Sequence, residues 1–316
     1  MTSADEPSTS LRELLWPVGT LHRAGVASTG AQPEHQRLRQ GTYVDRTTWQ
    51  ALEPREQLAL RVHAVDCLAE DDHLFSHHSA AALWGLPIIG QWPELVEHTT
   101  PAGTAGRTPG VRRRRAKNLP EGVIKDDVLV TAPARTVIDL AREVRLESAV
   151  AAADHALRLE LCTVEELQAE CDLLPKGARR KRNARRVVCL ADPLSESVGE
   201  SLSRVRMYQL GPPKPVLQIN FTDARGLIGR VDFWWEGYAL IGEFDGRVKY
   251  RVPEGASADE ASAVLWKEKQ REDRLSAGER RVRRWVWDDA YHLERFRQVM
   301  DACGLRPIPV DTWLCH

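Results

Sequence analysis

The sequence predicts a mixed α/β (α+β) protein with more than one domain. Apolar residues at helical spacing, as in Leu58, Val62 and Val65, alternate along the chain with short runs typical of strands. The C-terminal third has the order helix, three strands, helix, strand, helix, which is typical of a sheet covered by helices. The length of 316 residues is enough for two domains or for three small ones.

The composition excludes several classes of protein. Lys and Arg number 44 and Asp and Glu number 45, so the formal net charge is -1. That balance excludes a globally basic, DNA-coating protein but leaves room for local basic patches. The chain has no apolar run long enough for a membrane span, and its polar, acidic start is unlike a signal peptide. Six cysteines without a CxxC pair favour reduced thiols over a disulfide scaffold or a cysteine-based zinc site, so we expect a cytoplasmic protein.

The first half of the chain predicts a small hairpin followed by helices and strands. Proline in a first helical turn, at Pro54 and Pro133, marks two helix starts, and Thr131 is a candidate N-cap for the second. The glycine-rich, basic segment 101–115 is expected to be a loop or hairpin turn. The predicted elements are a hairpin or wing around 38–44, helices at 53–70, 76–84, from 131, 146–159 and 163–174, and strands at 95–99 and 122–130.

The second half begins after a basic run at 175–186, which is either a linker or the start of the next helix. Three consecutive strands with short turns predict an antiparallel meander, and the strand after the next helix can pair in parallel through a crossover. A polar loop is expected at 247–258. The predicted elements are helices at 193–210, 259–277 and 289–303, and strands at 215–222, 226–235, 238–245 and 281–287.

Three carboxylates fall on the second and third of these strands. Asp232 lies within one strand, and Glu243 and Asp245 share a face of the next because residues i and i+2 of a strand point the same way. If the two strands form a hairpin around Glu236 and Gly237, Asp232 lies near Glu243. Such a cluster repels itself without a cation, and hard oxygen ligands select Mg²⁺ or Mn²⁺. The pattern therefore predicts a metal site suited to phosphodiester hydrolysis.

Other charged residues surround this cluster in the sequence. Glu200 lies one helix upstream and is a fourth candidate ligand. Lys267 and Arg271 lie on one face of the 259–277 helix by their spacing and are candidate phosphate contacts. A solvated helix face is the alternative interpretation for both.

The stretch GLIGRVDFWWEGYALIGEFDGRVKY, with the charged helix after it, resembles the PD-(D/E)xK nucleases, and within them the very-short-patch-repair-like branch. The resemblance implies a restriction-endonuclease-like αβββαβ domain in which Asp232 and Glu243 hold the metal, with Glu200 as a helix-borne ligand. Asp245 stands where the signature has Lys, so it joins the metal cluster and Lys249 is the substitute catalytic cation. If no lysine reaches the site, the domain binds without cutting.

The segments HHSAAALWGLP and TAPARTVIDLAR resemble the AbiEi family of antitoxins. The resemblance implies an N-terminal winged helix, here degenerate, that binds operator DNA, and a toxin partner encoded by a neighbouring gene. The resulting division is 1–60 for the winged-helix-like segment, 61–190 for the AbiEi-like middle region and 191–316 for the nuclease-like domain.

Two functional hypotheses follow. The first is a metal-dependent DNA endonuclease or nickase, that is, a hydrolase that acts in defence or repair or belongs to a mobile element. The second is a non-catalytic, antitoxin-like transcriptional repressor that binds DNA. Both have DNA as partner and are compatible with a homodimer. The candidate DNA-binding residues, chosen from the basic runs and the charged helix, are Arg112, Arg113, Arg114, Arg115, Arg179, Arg180, Lys181, Arg182, Lys267 and Arg271.

Overall fold

The computed structural model describes residues 11–17, 34–69, 73–101, 108–246, 258–309 and 312–313. These residues form eleven α-helices and three β-sheets, which confirms the mixed α/β class. The chain divides into two compact units that interleave in sequence: unit 1 is Met1–Val144 with Glu165–Arg179, and unit 2 is Arg145–Val164 with Arg180–His316. No helix in the described residues is both long enough and apolar enough to cross a membrane.

The strands are numbered in chain order. They are β1 Trp16–Pro17, β2 His35–Arg39, β3 Thr42–Asp45, β4 Leu74–Phe75, β5 Val96–Pro101, β6 Val111–Ala116, β7 Gly122–Lys125, β8 Val128–Thr131, β9 Val216–Asp223, β10 Gly226–Trp235, β11 Leu240–Asp245 and β12 Arg281–Val286. The helices are α1 Arg46–Ala51, α2 Pro54–Asp66, α3 His77–Trp84, α4 Pro133–Ala141, α5 Leu146–Arg158, α6 Val164–Leu173, α7 Lys181–Leu190, α8 Val198–Leu210, α9 Ala258–Leu275, α10 Trp287–Tyr291 and α11 Leu293–Ala302.

Unit 1 contains two sheets. The first has the order β1-β3-β2, and its β2–β3 hairpin turns through Gly41 at φ 85°, which confirms the hairpin predicted there. The second has the order β6-β5-β4-β8-β7. Leu58 and Val62 of α2 and Ala80 of α3 share a hydrophobic cluster with Phe75 of β4. Much of the predicted winged-helix segment, residues 1–10 and 18–33, lies outside the described residues.

The structure corrects three predictions in unit 1. Residues 111–116 are not a loop but β6, which pairs in parallel with β5 at the sheet edge, where charged side chains are tolerated. Segment 122–130 is a hairpin rather than one strand, because Asp126 and Asp127 both adopt left-handed φ values, 51° and 63°, which a tight hairpin turn requires. The N-cap of α4 is Ala132, and Thr131 instead bonds to the Thr136 hydroxyl at 2.8 Å.

Unit 2 contains one four-stranded sheet with the order β12-β11-β10-β9. Strand β10 is antiparallel to β9 and β11, and β11 is parallel to β12, which confirms the predicted meander and parallel crossover. The basic run at 175–186 resolves into helix α7 from Lys181. The last predicted helix is two, α10 and α11, and the helix predicted from 193 begins at Val198 after an N-cap at Ser197.

Helices cover both faces of this sheet. Helix α8 lies so close to β11 that a Cβ on Gly199 would stand 2.0 Å from the Phe244 ring, and Trp285 of β12 donates to the Ser203 hydroxyl of α8 at 2.8 Å. On the opposite face Ile241 packs with Leu275 of α9. Strand alternation puts Glu243 and Asp245 on this second face with Ile241, and we call it the α9 face.

Candidate active site

Asp232 joins the two strands that carry the predicted carboxylates. The β10–β11 ladder runs from Trp235↔Leu240 to Phe233↔Gly242. At the next position a side chain connects β10 to β11, because Oδ2 of Asp232 accepts a hydrogen bond from the Phe244 amide at 2.8 Å. Asp232 is 8% exposed. The structure therefore places Asp232 beside the backbone between Glu243 and Asp245, as the hairpin prediction required.

Glu243 is held by two arginines. Arg271 of α9 donates to Oε1 at 2.6 Å, and Arg284 of β12 donates through Nε to Oε2 at 3.0 Å. Arg284 is the direct register partner of Glu243 in the parallel β11–β12 ladder, so its side chain lies on the same face. The negative charge of Glu243 is thus neutralised by protein cations in this structure.

The position of Arg271 depends on a glycine in β10. Its Nη2 also donates to the Arg230 carbonyl at 3.0 Å, and a Cβ on Gly229 would lie 2.8 Å from its Nε. A side chain at 229 would therefore displace the guanidinium from Glu243. Arg271, which the sequence suggested as a phosphate contact, here forms the wall of the carboxylate site.

Asp245 is the carboxylate of this group with an unused buried oxygen. Its Oδ1 is buried and has no hydrogen-bond partner among the described residues. A buried polar atom without a partner is costly, and such atoms usually mark a missing ligand, ion or water. Asp245 lies two residues beyond Glu243 on the same strand, so both belong to the α9 face.

Glu200 has a local role in the structure. Its carboxylate accepts from the Ser197 hydroxyl at 2.7 Å, from the Glu196 amide at 3.0 Å and from the Gln218 amide group at 3.0 Å. The Ser197 hydroxyl in turn accepts from the Glu200 amide at 3.2 Å, so the two residues cap the N-terminus of α8. These contacts account for the burial of Glu200 without a metal.

The donor set of the candidate site suits a hard divalent cation in part. Asp232 and Asp245 supply carboxylate oxygens, and the unpartnered Oδ1 of Asp245 has the chemistry that Mg²⁺ prefers. Glu243 would have to exchange at least one arginine for the ion. Accordingly, the part of the chain that the structure describes contains no group of three acidic, histidine or cysteine side chains arranged to hold a metal.

The remaining predicted cations are dispersed. Lys249 lies outside the described residues, and Lys267 is exposed on α9. Arg284 is the residue that sequence reasoning missed; its signal was the basic strand RVRRWV, whose register with β11 is not visible in the sequence.

The basic runs have mixed environments. In β6, Arg112 and Arg115 are exposed, but Arg114 donates to the buried Glu97 at 2.6 Å and Arg113 donates to the Thr108 hydroxyl at 3.1 Å. Of the candidate residues in the second run, Arg179, Arg180 and Arg182 are exposed and Lys181 is half-buried.

Glu97 anchors Arg114 through a strongly acidic carboxyl. Burial favours its neutral form, but the hydrogen bond from His78 and the charges of His78 and Arg114 outweigh burial and lower the pKa of Glu97 to about 2. His78 Nδ1 lies 2.8 Å from Glu97 Oε2. Arg114 therefore stabilises the fold of unit 1, and its charge is largely compensated there.

Comparison with known proteins gives a partial match to uncharacterized relatives. No family model matches the chain. The uncharacterized proteins MT2308 and Rv2248, from the Mycobacterium tuberculosis strains CDC 1551 / Oshkosh and H37Rv, are each 36% identical over 117 residues. The match covers 37% of this chain and 43% of each relative, so the chain matches less than half the length of those proteins.

Proposed function

We propose that unit 2 is a metal-dependent DNA endonuclease or nickase. The observation that carries the proposal is the buried Oδ1 of Asp245, which has no partner among the described residues and lies next to Asp232 and Glu243 on the α9 face of an αβββαβ sheet. Retaining a buried carboxylate oxygen without a partner lowers stability, and a ligand that binds there explains its presence. The resemblance of these strands to PD-(D/E)xK nucleases points to the same chemistry.

In this proposal each residue has a defined role. A Mg²⁺ or Mn²⁺ ion held here would supply Lewis-acid chemistry for hydrolysis of a phosphodiester by water. Asp232 and Asp245 hold the ion, and Asp232 keeps its position through the Phe244 amide. Glu243 is the third carboxylate and becomes available when Arg271 turns from it toward a DNA phosphate.

The cations of the site stabilise negative charge on the phosphate. Arg271 and Arg284 have side chains 25% and 23% exposed, so both are within reach of solvent and of a bound anion. Guanidinium groups form paired hydrogen bonds to phosphate as readily as to carboxylate. Lys249 and Lys267 remain candidates for further phosphate contacts, with Arg112, Arg115, Arg179, Arg180, Lys181 and Arg182 as candidate contacts to flanking DNA.

Relaxation of supercoiled plasmid tests the proposal. The full-length protein should convert it to the open-circular or linear form with Mg²⁺ or Mn²⁺ and not with EDTA. Asp232→Asn keeps an oxygen for the Phe244 amide but removes the charge, so we expect a loss of at least about 100-fold in rate, in the range that removal of one electrostatic group at an active site produces. Asp301→Asn, at an exposed position of α11, is the matched control and should cut as the wild type does.

One observation favours a second candidate function. Glu243 already has both oxygens bonded to arginines, so its charge is neutralised without a metal. We infer from this that an inert, DNA-binding repressor of the antitoxin type, with a toxin partner, is the alternative. Salt-sensitive DNA binding by the wild type, without cleavage at any Mg²⁺ or Mn²⁺ concentration, would favour the repressor over the nuclease. Both functions fit a cytoplasmic protein, either as a monomer or as a homodimer.

A further inference from the structure

Unit 1 has a cavity of about 400 Å³ that the proposed nuclease site does not use. It lies at one end of the second sheet, where His98 and Thr100 of β5 face it together with His73 and Arg113. Leu119 and Leu129 line its apolar side. The volume falls in the range of small-molecule binding sites, which is about 300–1,000 Å³.

The polar wall of this cavity follows from strand register. His98 of β5 and Arg113 of β6 are direct partners in the parallel ladder, so their side chains lie side by side on one face. Thr100 is two residues beyond His98 and shares that face. The His73 and His98 rings are 4.5 Å apart between centroids, which brings a second imidazole to the same wall.

Among the buried atoms of this wall, His98 Nε2 and Thr100 Oγ1 have no partner in the part of the chain that the structure describes. The two residues are only 3% and 9% exposed. A native fold rarely leaves two adjacent buried polar atoms unsatisfied, because each one costs the free energy of its lost hydration. Both residues line the cavity, so a ligand bound there could supply the missing hydrogen bonds.

The charges of the wall select the sign of that ligand. The described residues that line the cavity include Arg113 and two histidines and no carboxylate. Burial, and after it the positive charges of His73 and Arg113, lower the pKa of His98 to about 4, so its ring is neutral at pH 7. A neutral imidazole and a hydroxyl can both donate to an anion, while Arg113 provides the compensating charge.

We propose that this cavity binds a small organic anion, with a carboxylate or phosphate head at His98, Thr100 and Arg113 and an apolar body against Leu119 and Leu129. An inorganic anion alone would leave the apolar part of the cavity unfilled, so we expect a ligand with an apolar body. The site is independent of the carboxylates of unit 2, so it stands whether or not the nuclease proposal does.

Thr100→Val tests the unpartnered hydroxyl without a ligand. The two side chains have nearly the same shape, and the substitution removes a buried polar atom that has no partner within the described parts of the chain. We expect the melting temperature of the full-length protein to stay the same or rise. A clear fall in melting temperature would overturn the proposal, because it would show that the hydroxyl is already satisfied in the free protein.

Binding of benzoate, phenyl phosphate and neutral benzamide, measured by calorimetry on the full-length protein, tests the ligand class. We expect saturable binding of at least one anionic probe by the wild type. Binding should be about tenfold weaker or more in Arg113→Met, as loss of a hydrogen bond to a charged group implies. Thr100→Val should also bind more weakly than the wild type. Arg112→Met is the matched control, since Arg112 is the neighbouring residue on the other face of β6 and should leave binding unchanged. The proposal is overturned if neither anion binds, if benzamide binds as well as benzoate, or if Arg113→Met binds like the wild type.

Discussion

Arg271→Met separates the two roles of the arginine that holds Glu243. The substitution removes the bond of 2.6 Å to Glu243 and the bond of 3.0 Å to the Arg230 carbonyl, and it keeps much of the aliphatic volume. We expect opposite effects on two measured quantities. The free energy of unfolding should fall, and the affinity for Mn²⁺ should rise because Glu243 loses one of its two cations.

The size of the stability loss follows from the exposure of the pair. Breaking a fully buried ion pair costs about 3–5 kcal/mol, and an exposed pair contributes about 0–1 kcal/mol. The Glu243 side chain is 11% exposed and that of Arg271 25%, so the pair lies between these limits. Because Arg284 stays bonded to Glu243, we expect a loss of about 1–2 kcal/mol.

Arg274→Met is the matched control on the same helix. Arg274 makes two hydrogen bonds to Asp223, at 2.7 and 2.8 Å, and hydrogen bonding to Arg274, with burial opposing it, lowers the pKa of Asp223 to about 2. That pair is more exposed than the one at Glu243, so its loss should lower stability less and leave Mn²⁺ affinity unchanged.

Urea unfolding followed by tryptophan fluorescence gives the stability, and calorimetric titration with Mn²⁺ in the absence of DNA gives the affinity. If Arg271→Met and Arg274→Met show the same small stability loss and the same Mn²⁺ affinity as the wild type, the reasoning about Glu243 is refuted.

Three further predictions concern the surrounding fold. The pKa of Glu97 falls from 4.5 in the unfolded chain to about 2 in the folded protein, so its carboxylate stabilises the fold above pH 4.5. As pH falls toward 2, the free energy of unfolding should decrease by about 3 kcal/mol. Glu97→Gln should remove most of this acid dependence in urea titrations, and an unchanged pH profile would contradict the assignment. Gly199→Ala should lower the free energy of unfolding by about 1–3 kcal/mol, because the added methyl group overpacks against Phe244. Thermal or urea unfolding measures this loss. A neutral result would disprove the close approach of α8 to β11. Arg115→Met should weaken DNA binding and reduce its salt dependence, whereas Arg114→Met should mainly destabilise unit 1. Filter binding at several salt concentrations measures the first effect, and melting curves measure the second. Reversed effects would refute the assigned roles.

The order of elements in unit 2 could be predicted because periodicity is a local property of the sequence. The strands that carry Asp232 and Glu243 are short, mostly apolar runs, and the short turn between them leaves antiparallel hairpin pairing as the simplest connection. The shared face of Glu243 and Asp245 follows from the same rule. The sequence therefore located the carboxylates on adjacent strands of one sheet.

The two arginines at Glu243 could not be predicted in the same way. Arg284 is 41 positions from Glu243, and only the parallel register of β11 and β12 makes them neighbours. Arg271 reaches Glu243 past Gly229, a packing relation that no spacing rule expresses. Strand β6 was missed for a related reason, since four consecutive arginines mask the alternation that an edge strand needs.

The nicking rate of Asp245→Asn on supercoiled plasmid with saturating Mn²⁺ tests the proposed metal site directly. Asp245 has a buried oxygen without a partner among the residues that the structure describes, and the amide of Asn is close in shape to the carboxylate. The account predicts a loss of at least about 100-fold in rate relative to the wild type, with stability unchanged within about 0.5 kcal/mol. Equal nicking by both proteins, or no nicking by the wild type with either Mg²⁺ or Mn²⁺, would contradict it.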